Sequence, residues 1–145
     1  MQDISLQQLW LRIKLVLSLL GGTLSSLVGG MDGLMIVLLA CMIIDYLTGV
    51  MHAILEKQLS SAVGFKGICK KVLIFIMVGV AHLLDVYILG GVGALRNAVI
   101  CFYLSNEGIS MLENAARIGL PIPDTLRDVL SQLHHREEDP TEYEE

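Results

Sequence analysis

The longest apolar stretch of the chain runs from Gly33 to Leu55 and predicts a membrane-spanning helix. At about 1.5 Å of rise per residue, a helix of this length covers the roughly 30 Å hydrocarbon core of a bilayer. Its polar positions recur at helical spacing and share one face, formed by Asp45, Thr48, Gly49 and His52. Because an ionisable group at mid-membrane costs about 3 kcal/mol on insertion scales, we expect this face to point away from lipid.

A second apolar stretch covers residues 72–89 and is interrupted only by His82 and Asp85, which are three positions apart and share a face. The segment before it, residues 56–71, carries four lysines against one acid, Glu56. Short lysine-rich loops stay on the cytoplasmic side of a membrane, so the first span is expected to run from outside to inside. Three of these lysines are expected to anchor the second span at the membrane interface, namely Lys66, Lys70 and Lys71.

A one-sided polar stripe follows the short link of residues 90–93 and predicts a third helix over about 92–114. The stripe consists of Arg96, Tyr103, Glu107, Ser110, Asn114 and Arg117. The short link predicts that this helix packs antiparallel to the one before it, and Gly119, Pro121 and Pro123 are expected to end it. Its apolar part reaches to about Ile109.

The first 30 residues leave two alternatives open. Residues 11–30 can form a weakly hydrophobic span whose glycine and serine surface admits another helix, or residues 4–20 can form an interfacial helix with Trp10 at headgroup depth. A cleaved signal peptide is a third, less well matched interpretation. The chain then has either four spans with its N-terminus inside or three spans with its N-terminus outside, and a cytoplasmic C-terminus in both cases.

Composition supports an integral membrane protein, since 54% of the 145 residues are hydrophobic and the mean hydropathy is +0.65. Residues 124–145 hold eight acids against Arg127 and Arg136, a net charge of -6, whereas residues 1–123 balance at +1, so the net charge of the chain is -5. Residues 124–145 predict a short cytoplasmic helix up to residue 134 and a disordered acidic tail after it. The remainder has no basic surface of the kind that binds nucleic acid. The three cysteines are expected to be small buried apolar side chains.

No motif of a hydrolase, metalloprotease, nucleotide-binding loop or dinucleotide-binding turn is present, so we expect no catalytic residue, no cofactor and no metal site. The informative side chains are the charged and titratable ones within the apolar segments: Asp45, His52, His82, Asp85, Arg96 and Glu107. In a structural interpretation, Asp45 or Asp85 pairs with Arg96 and fixes helix packing. In a functional interpretation, these groups line water or hold subunits together.

An ordered series of short motifs spreads over roughly residues 33–130. It comprises Asp45-Tyr46-Leu47-Thr48-Gly49, Ser60-Ser61 with Gly64, Gly67 and Lys70-Lys71, then Asp85, then Asn106-Glu107-Gly108-Ile109-Ser110-Met111-Leu112-Glu113-Asn114, and finally Gly119-Leu120-Pro121-Ile122-Pro123. This series resembles the toxin secretion and phage lysis holins of Gram-positive bacteria and their phages.

The resemblance implies an all-α protein of three to four transmembrane helices in an antiparallel bundle. It implies that the protein oligomerises in the bacterial cytoplasmic membrane and permeabilises it at a set time. The partners it implies are the lipid bilayer, further copies of the chain, and an endolysin or toxin that needs no direct contact. The residues carried over as helix or subunit contacts are Asp45, Thr48, Gly49, Asn106, Glu107, Ser110, Glu113 and Asn114.

Two other functions fit the same residues. A small ion- or proton-coupled transporter would use Asp45 and Glu107 as proton carriers, although no inverted repeat is visible. A membrane scaffold would use the acidic tail to recruit a cytoplasmic partner.

Overall fold

The computed structural model describes residues 2–126 and 128, and of residues 2–5 and 63 it describes the backbone only. These residues form four helices and, within the described ranges, no strand: α1 Gln2–Leu27, α2 Gly33–Leu55, α3 Ser61–Tyr87 and α4 Ala94–Ile118. The predicted all-α fold is confirmed.

The helix boundaries agree with the hydrophobic pattern where a helix is apolar throughout. Helix α2 has the predicted ends, whereas α3 begins at Ser61 rather than at residue 72. The lysine-rich segment has the charge of a cytoplasmic loop, but lysine is a good helix former, and the helix begins about three turns before residue 72. Helix α4 stops before Gly119, whose φ of 97° suits a glycine that ends a helix.

Three of the described helices are long and apolar enough to cross a membrane, at Leu6–Leu27, Gly33–Leu55 and Gly64–Tyr87. Helix α1, for which two alternatives were open, is therefore a candidate span. Helix α4 is as long as the others but is not among the three. It carries four charged residues, Arg96 near its beginning and Glu107, Glu113 and Arg117 in its second half.

The first of two compact units combines the described residues up to residue 36 with residues 72–101. Its core consists of the apolar side chains Val28, Met35, Ile74, Val78, Ala81 and Ile100. Helix α1 itself adds little to this core, because no part of its span Leu6–Leu27 is buried and Trp10 is 63% exposed, whereas Val28 directly after the helix is buried. Its apolar surface is thus available to lipid.

The second unit combines residues 37–71 with the described residues from 102 onward. Here α2 and α3 run antiparallel, since Asp45 contacts Lys71 while Tyr46 lies over Gly67 and Gly64 further toward the start of α3. A methyl group on Gly67 would lie 3.1 Å from the Tyr46 ring. The glycine therefore permits the close approach of the two helices.

Two further predictions concern the cysteines and the C-terminal region. Cys41 is half-buried, but Cys69 and Cys101 are exposed, so the prediction that all three are buried is wrong. Their exposed faces belong to helices whose outer surface is apolar, where a thiol is compatible with lipid. Residues 124–126 and 128 are helical, while the rest of the helix predicted up to residue 134 and the predicted tail 135–145 lie outside the described residues.

Candidate functional site

An ionic cluster joins three helices in the second unit. The Lys71 ammonium on α3 donates a hydrogen bond to Asp45 Oδ2 on α2 at 2.5 Å and a second one to the Glu107 carboxylate on α4. We call these three residues the Lys71 cluster. Their side chains are 17%, 12% and 7% exposed for Lys71, Asp45 and Glu107, respectively, so the cluster is removed from the protein surface.

Asn114 extends the Lys71 cluster by a layer of neutral hydrogen bonds. Its side-chain amide donates to Asp45 Oδ1 and to Thr48 Oγ1, both at 3.2 Å. The Thr48 hydroxyl in turn donates to the backbone carbonyl of Asp45 at 2.9 Å. Asp45 therefore accepts a charged hydrogen bond on one carboxylate oxygen and a neutral one on the other, which satisfies both.

The Lys71 cluster carries two negative charges and one positive charge. Removing such charges from water is costly, and only good geometry and further hydrogen bonds repay it. Because a single ammonium serves both carboxylates, Lys71 is the only counter-charge within the cluster. Its two hydrogen bonds fix α3 to α2 and to α4, while Asn114 joins α4 to α2 directly.

Two members of the Lys71 cluster, Asp45 and Lys71, lie within the candidate spans Gly33–Leu55 and Gly64–Tyr87. From Lys71 to Tyr87, α3 rises about 24 Å, and from Gly33 to Asp45, α2 rises about 18 Å at ~1.5 Å per residue. Both distances are shorter than the ~30 Å hydrocarbon core. If those helix ends reach one face of the core, the cluster lies roughly 6 to 12 Å inside the opposite face.

A second ionic cluster lies in the first unit and is centred on Arg96, which is 4% exposed. The guanidinium donates to the backbone carbonyls of Val28 at 2.5 Å and Gly30 at 3.0 Å, and to Asp32 Oδ2 at 2.6 Å. Asp32 also accepts a hydrogen bond from the backbone N–H of Met35 at 2.9 Å and so caps α2. Arg96 thus fixes the turn between α1 and α2 against α4.

Asp85 holds the start of α4. Its carboxylate, on a residue that is 1% exposed, accepts hydrogen bonds from the backbone N–H groups of Leu95 at 3.1 Å and Arg96 at 2.7 Å. The first N–H groups of a helix have no partner within the helix, and the N-terminus favours negative charge. Asp85 is therefore a buried helix cap reaching from the preceding helix.

The structure corrects the predicted ion pairs. The guanidinium of Arg96 pairs with Asp32, whereas Asp85 receives only its backbone N–H, and Asp45 pairs with Lys71. The sequence reasoning overlooked Asp32, although an aspartate directly before an apolar helix is a recognisable capping signal. It assigned Lys71 to the interface because the residue was grouped with its exposed neighbours Lys66 and Lys70.

The remaining predicted residues are distributed over both units. His52 keeps a buried Nδ1 without a hydrogen-bond partner among the described residues, and His82 packs against Gly29. Gly49 faces Asn114, whose side-chain amide lies 3.6 Å from where a methyl group on the glycine would be. Asn106 is exposed and Glu113 is half-buried. The described part of the chain holds no group of three or more metal-ligating side chains.

A cavity of about 190 Å³ borders the Lys71 cluster within the second unit. Asp45, Lys71 and Asn114 form the end of the cavity next to the cluster. Ser110, another predicted polar contact, lines it from α4, and Lys70 lines it from α3. The cavity therefore brings together residues that the sequence placed in separate segments.

Comparison with known proteins identifies a family over most of the chain. The bacteriophage holin family matches residues 22–135. An uncharacterized protein of Clostridium perfringens is 41% identical over 124 residues, which cover 86% of this chain and 92% of that protein. A Bacillus phage phi105 protein named as a probable holin is 39% identical over 100 residues, 69% of this chain and 73% of its own length. No solved structure matches the chain.

Proposed function

The chain belongs to the bacteriophage holin family, and on that premise we propose that it oligomerises in the bacterial cytoplasmic membrane and permeabilises it at a set time. The cargo is an endolysin or a toxin, which passes the membrane without binding to this protein directly. The protein acts without catalysis, in keeping with a family of non-enzymatic membrane permeabilisers.

The observation that carries the mechanism is the Lys71 cluster inside helices with apolar outer surfaces. Lipid cannot hydrogen-bond polar groups, so in a single chain these groups must satisfy one another. The same contacts can be made with water or with a second copy. A lesion therefore forms when many copies separate their helices and turn the polar faces toward a common aqueous space.

A single chain is too small to enclose a passage for a folded enzyme. Where helices pack through their side chains, as at the Lys71 cluster, the space between them holds a few water molecules at most. The lesion must be built from many subunits. In a subunit that has not yet assembled, the exposed apolar surface of α1, along Leu6–Leu27, contacts lipid.

We propose four spans with both termini cytoplasmic. Helix α4 is less apolar than the other helices, but its charged residues Arg96 and Glu107 are buried and paired, so their cost to insertion is reduced. The lysines at Lys57, Lys66 and Lys70 favour a cytoplasmic α2–α3 turn. Reaction of single introduced cysteines, Gln2→Cys and Glu145→Cys, with a membrane-impermeant thiol reagent, in a chain without its native cysteines, tests this topology in whole cells and inverted vesicles.

Controlled expression in a bacterial host, with and without a co-expressed cytoplasmic muralytic enzyme, tests the function. We expect the culture density to fall suddenly at a reproducible time only when the enzyme is present, and the membrane potential to collapse at that time in both strains. Loss of potential without release of the enzyme would instead support a small ion- or proton-coupled transporter, in which Asp45 and Glu107 carry protons.

A further inference from the structure

The cavity of about 190 Å³ is lined by both apolar and polar side chains. The apolar ones include Val50 and Ala53 of α2 together with Leu59. The polar ones include Tyr46, Ser110 and Lys70. Such a combination suits a ligand that carries both a charged group and a hydrocarbon portion.

Among the residues that the structure describes, Lys70 is the cation of this cavity that is available to bind a ligand. Lys71 already serves the carboxylates of Asp45 and Glu107. Lys70 lines the same cavity, is exposed, and has no carboxylate within ion-pair distance among the described residues. Lys66 on the same helix is equally exposed but does not line the cavity, so it offers a matched comparison.

The cavity extends from the Lys71 cluster toward the membrane face next to the α2–α3 turn. It runs from Lys71 toward the beginning of α3 at Gly64, a rise of about 10 Å along the helix at ~1.5 Å per residue. With the other ends of α2 and α3 at one face of the hydrocarbon core, the Lys71 cluster lies roughly 6 to 12 Å inside the face next to this turn. The outer end of the cavity then lies near the boundary between hydrocarbon and headgroups, within reach of a phosphate group for the long side chain of Lys70.

We propose that this cavity binds the headgroup region of an anionic phospholipid from the leaflet next to the α2–α3 turn. Lys70 pairs with the phosphate, and the hydroxyl groups of Tyr46 and Ser110 supply hydrogen-bond donors from α2 and α4. The apolar lining residues Val50, Ala53 and Leu59 contact the first methylene groups of an acyl chain. Basic pockets between membrane helices are a known type of headgroup site, and the volume fits a headgroup rather than a whole lipid. The inference does not depend on the proposed lesion.

Native mass spectrometry of the purified full chain in detergent tests the proposal, with phosphatidylglycerol and phosphatidylcholine as the probes. We expect phosphatidylglycerol to bind at least about tenfold more tightly than phosphatidylcholine. Lys70→Gln should weaken phosphatidylglycerol binding about thirtyfold, as expected for the loss of a charged hydrogen bond. Lys66→Gln should weaken it no more than about fivefold, the effect of one cation near an anionic surface.

Equal losses in the two lysine variants would overturn the site, because they would indicate a general attraction between the lysines and anionic lipid. Ser110→Leu reduces the cavity volume without changing charge and should also lower phosphatidylglycerol binding, with the helix content unchanged by circular dichroism. Inorganic phosphate at about 10 mM is expected not to displace the lipid, because it lacks the apolar portion. Its displacement of the lipid would show that the cavity recognises a free anion and would overturn the proposal.

Discussion

Lys71 Nζ and Asp45 Oδ2 lie 2.5 Å apart although 26 residues separate them in the chain. The same ammonium contacts Glu107, which is 36 residues further along. One cation therefore balances two carboxylates that face each other from α2 and α4. This unequal distribution of charge predicts which substitutions in the cluster are severe and which are tolerated.

Removal of the cation is the severe case. Lys71→Met leaves two buried carboxylates without a counter-charge, and breaking a buried pair in this way costs about 3 to 5 kcal/mol. We expect a marked fall in the thermal unfolding temperature of the purified protein in detergent. Lys66→Met, which removes an exposed lysine of the same helix, should change it little. Similar melting temperatures for the two variants would contradict the role of Lys71.

Removal of one carboxylate is the mild case. Glu107→Gln leaves Lys71 and Asp45 as an equal pair and retains a polar side chain of the same size on α4. We expect the free energy of unfolding to change by less than about 1.5 kcal/mol, because no charge is left without a partner. The measurement is the same thermal unfolding.

The same carboxylates also bear on lysis. Asp45→Asn removes charge but retains size, so the protein should insert normally while the interval before lysis changes, because the contact that keeps α2 beside α3 is weaker. The measurement is culture density after induction, at protein levels matched by immunoblot. Glu56→Gln serves as the control, since this acid is exposed and lies outside the cluster. Unchanged timing in Asp45 and Glu107 variants would contradict the polar-face mechanism.

The close approach of α2 and α3 predicts a steric effect at one glycine. A methyl group on Gly67 would lie 3.1 Å from the Tyr46 ring, whereas one on Gly108 would meet nothing within 4 Å. Both positions are helical, so each gains about 1 kcal/mol of helix propensity on substitution by alanine. We expect Gly67→Ala to be less stable than Gly108→Ala by about 1 to 2 kcal/mol in thermal unfolding. Adding Tyr46→Ala should reduce that difference.

The sequence predicted the positions of the helices better than it predicted which side chains pair between them. Apolar length alone placed the ends of α2, since that signal depends only on the width of the bilayer and the rise of a helix. It also indicated that Asp45 and Thr48 share a face, which is a local property of the helix. It could not tell that Lys71 and not Arg96 neutralises Asp45. That choice depends on how α3 is rotated and how far it is displaced along α2.

The beginning of α3 shows a second feature that the sequence alone does not determine. A charge pattern that marks a cytoplasmic loop is the same pattern that marks the polar end of a longer helix, and composition does not separate the two. The structure resolves the ambiguity through Gly64 and Gly67, which allow α3 to continue against Tyr46. Lysines in such a segment differ in role according to the helix face on which they lie, as Lys66 and Lys71 do.

The three hydrogen bonds of the Arg96 guanidinium predict that lysine cannot replace arginine at this position. The guanidinium reaches Val28 O, Gly30 O and Asp32 from three different nitrogen atoms. A lysine ammonium is a single point and cannot occupy these positions together. We expect Arg96→Lys to lower the free energy of unfolding by about 2 kcal/mol, because at least one buried carbonyl loses its donor. Lys14→Arg, an exchange in the opposite direction at an exposed position of α1, should be nearly neutral.

The Arg96 guanidinium also makes the contribution of Asp32 to the free energy of unfolding dependent on pH. Its hydrogen bond from Arg96, followed by that from the Met35 backbone N–H, lowers the pKa of the Asp32 carboxyl from its ordinary value of 3.8. A carboxyl group whose pKa is lower in the folded state stabilises the fold above its ordinary pKa, and this contribution is lost as pH falls through the folded-state pKa. We therefore expect the melting temperature of the wild type to exceed that of Asp32→Asn from neutral pH down to about pH 5. The two should converge in more acidic solution, below the ordinary pKa of 3.8. The difference in melting temperature between the two proteins is independent of the titration of all groups that they share. A difference that stays constant down to about pH 3 would show that the charge of Asp32 makes no contribution to stability.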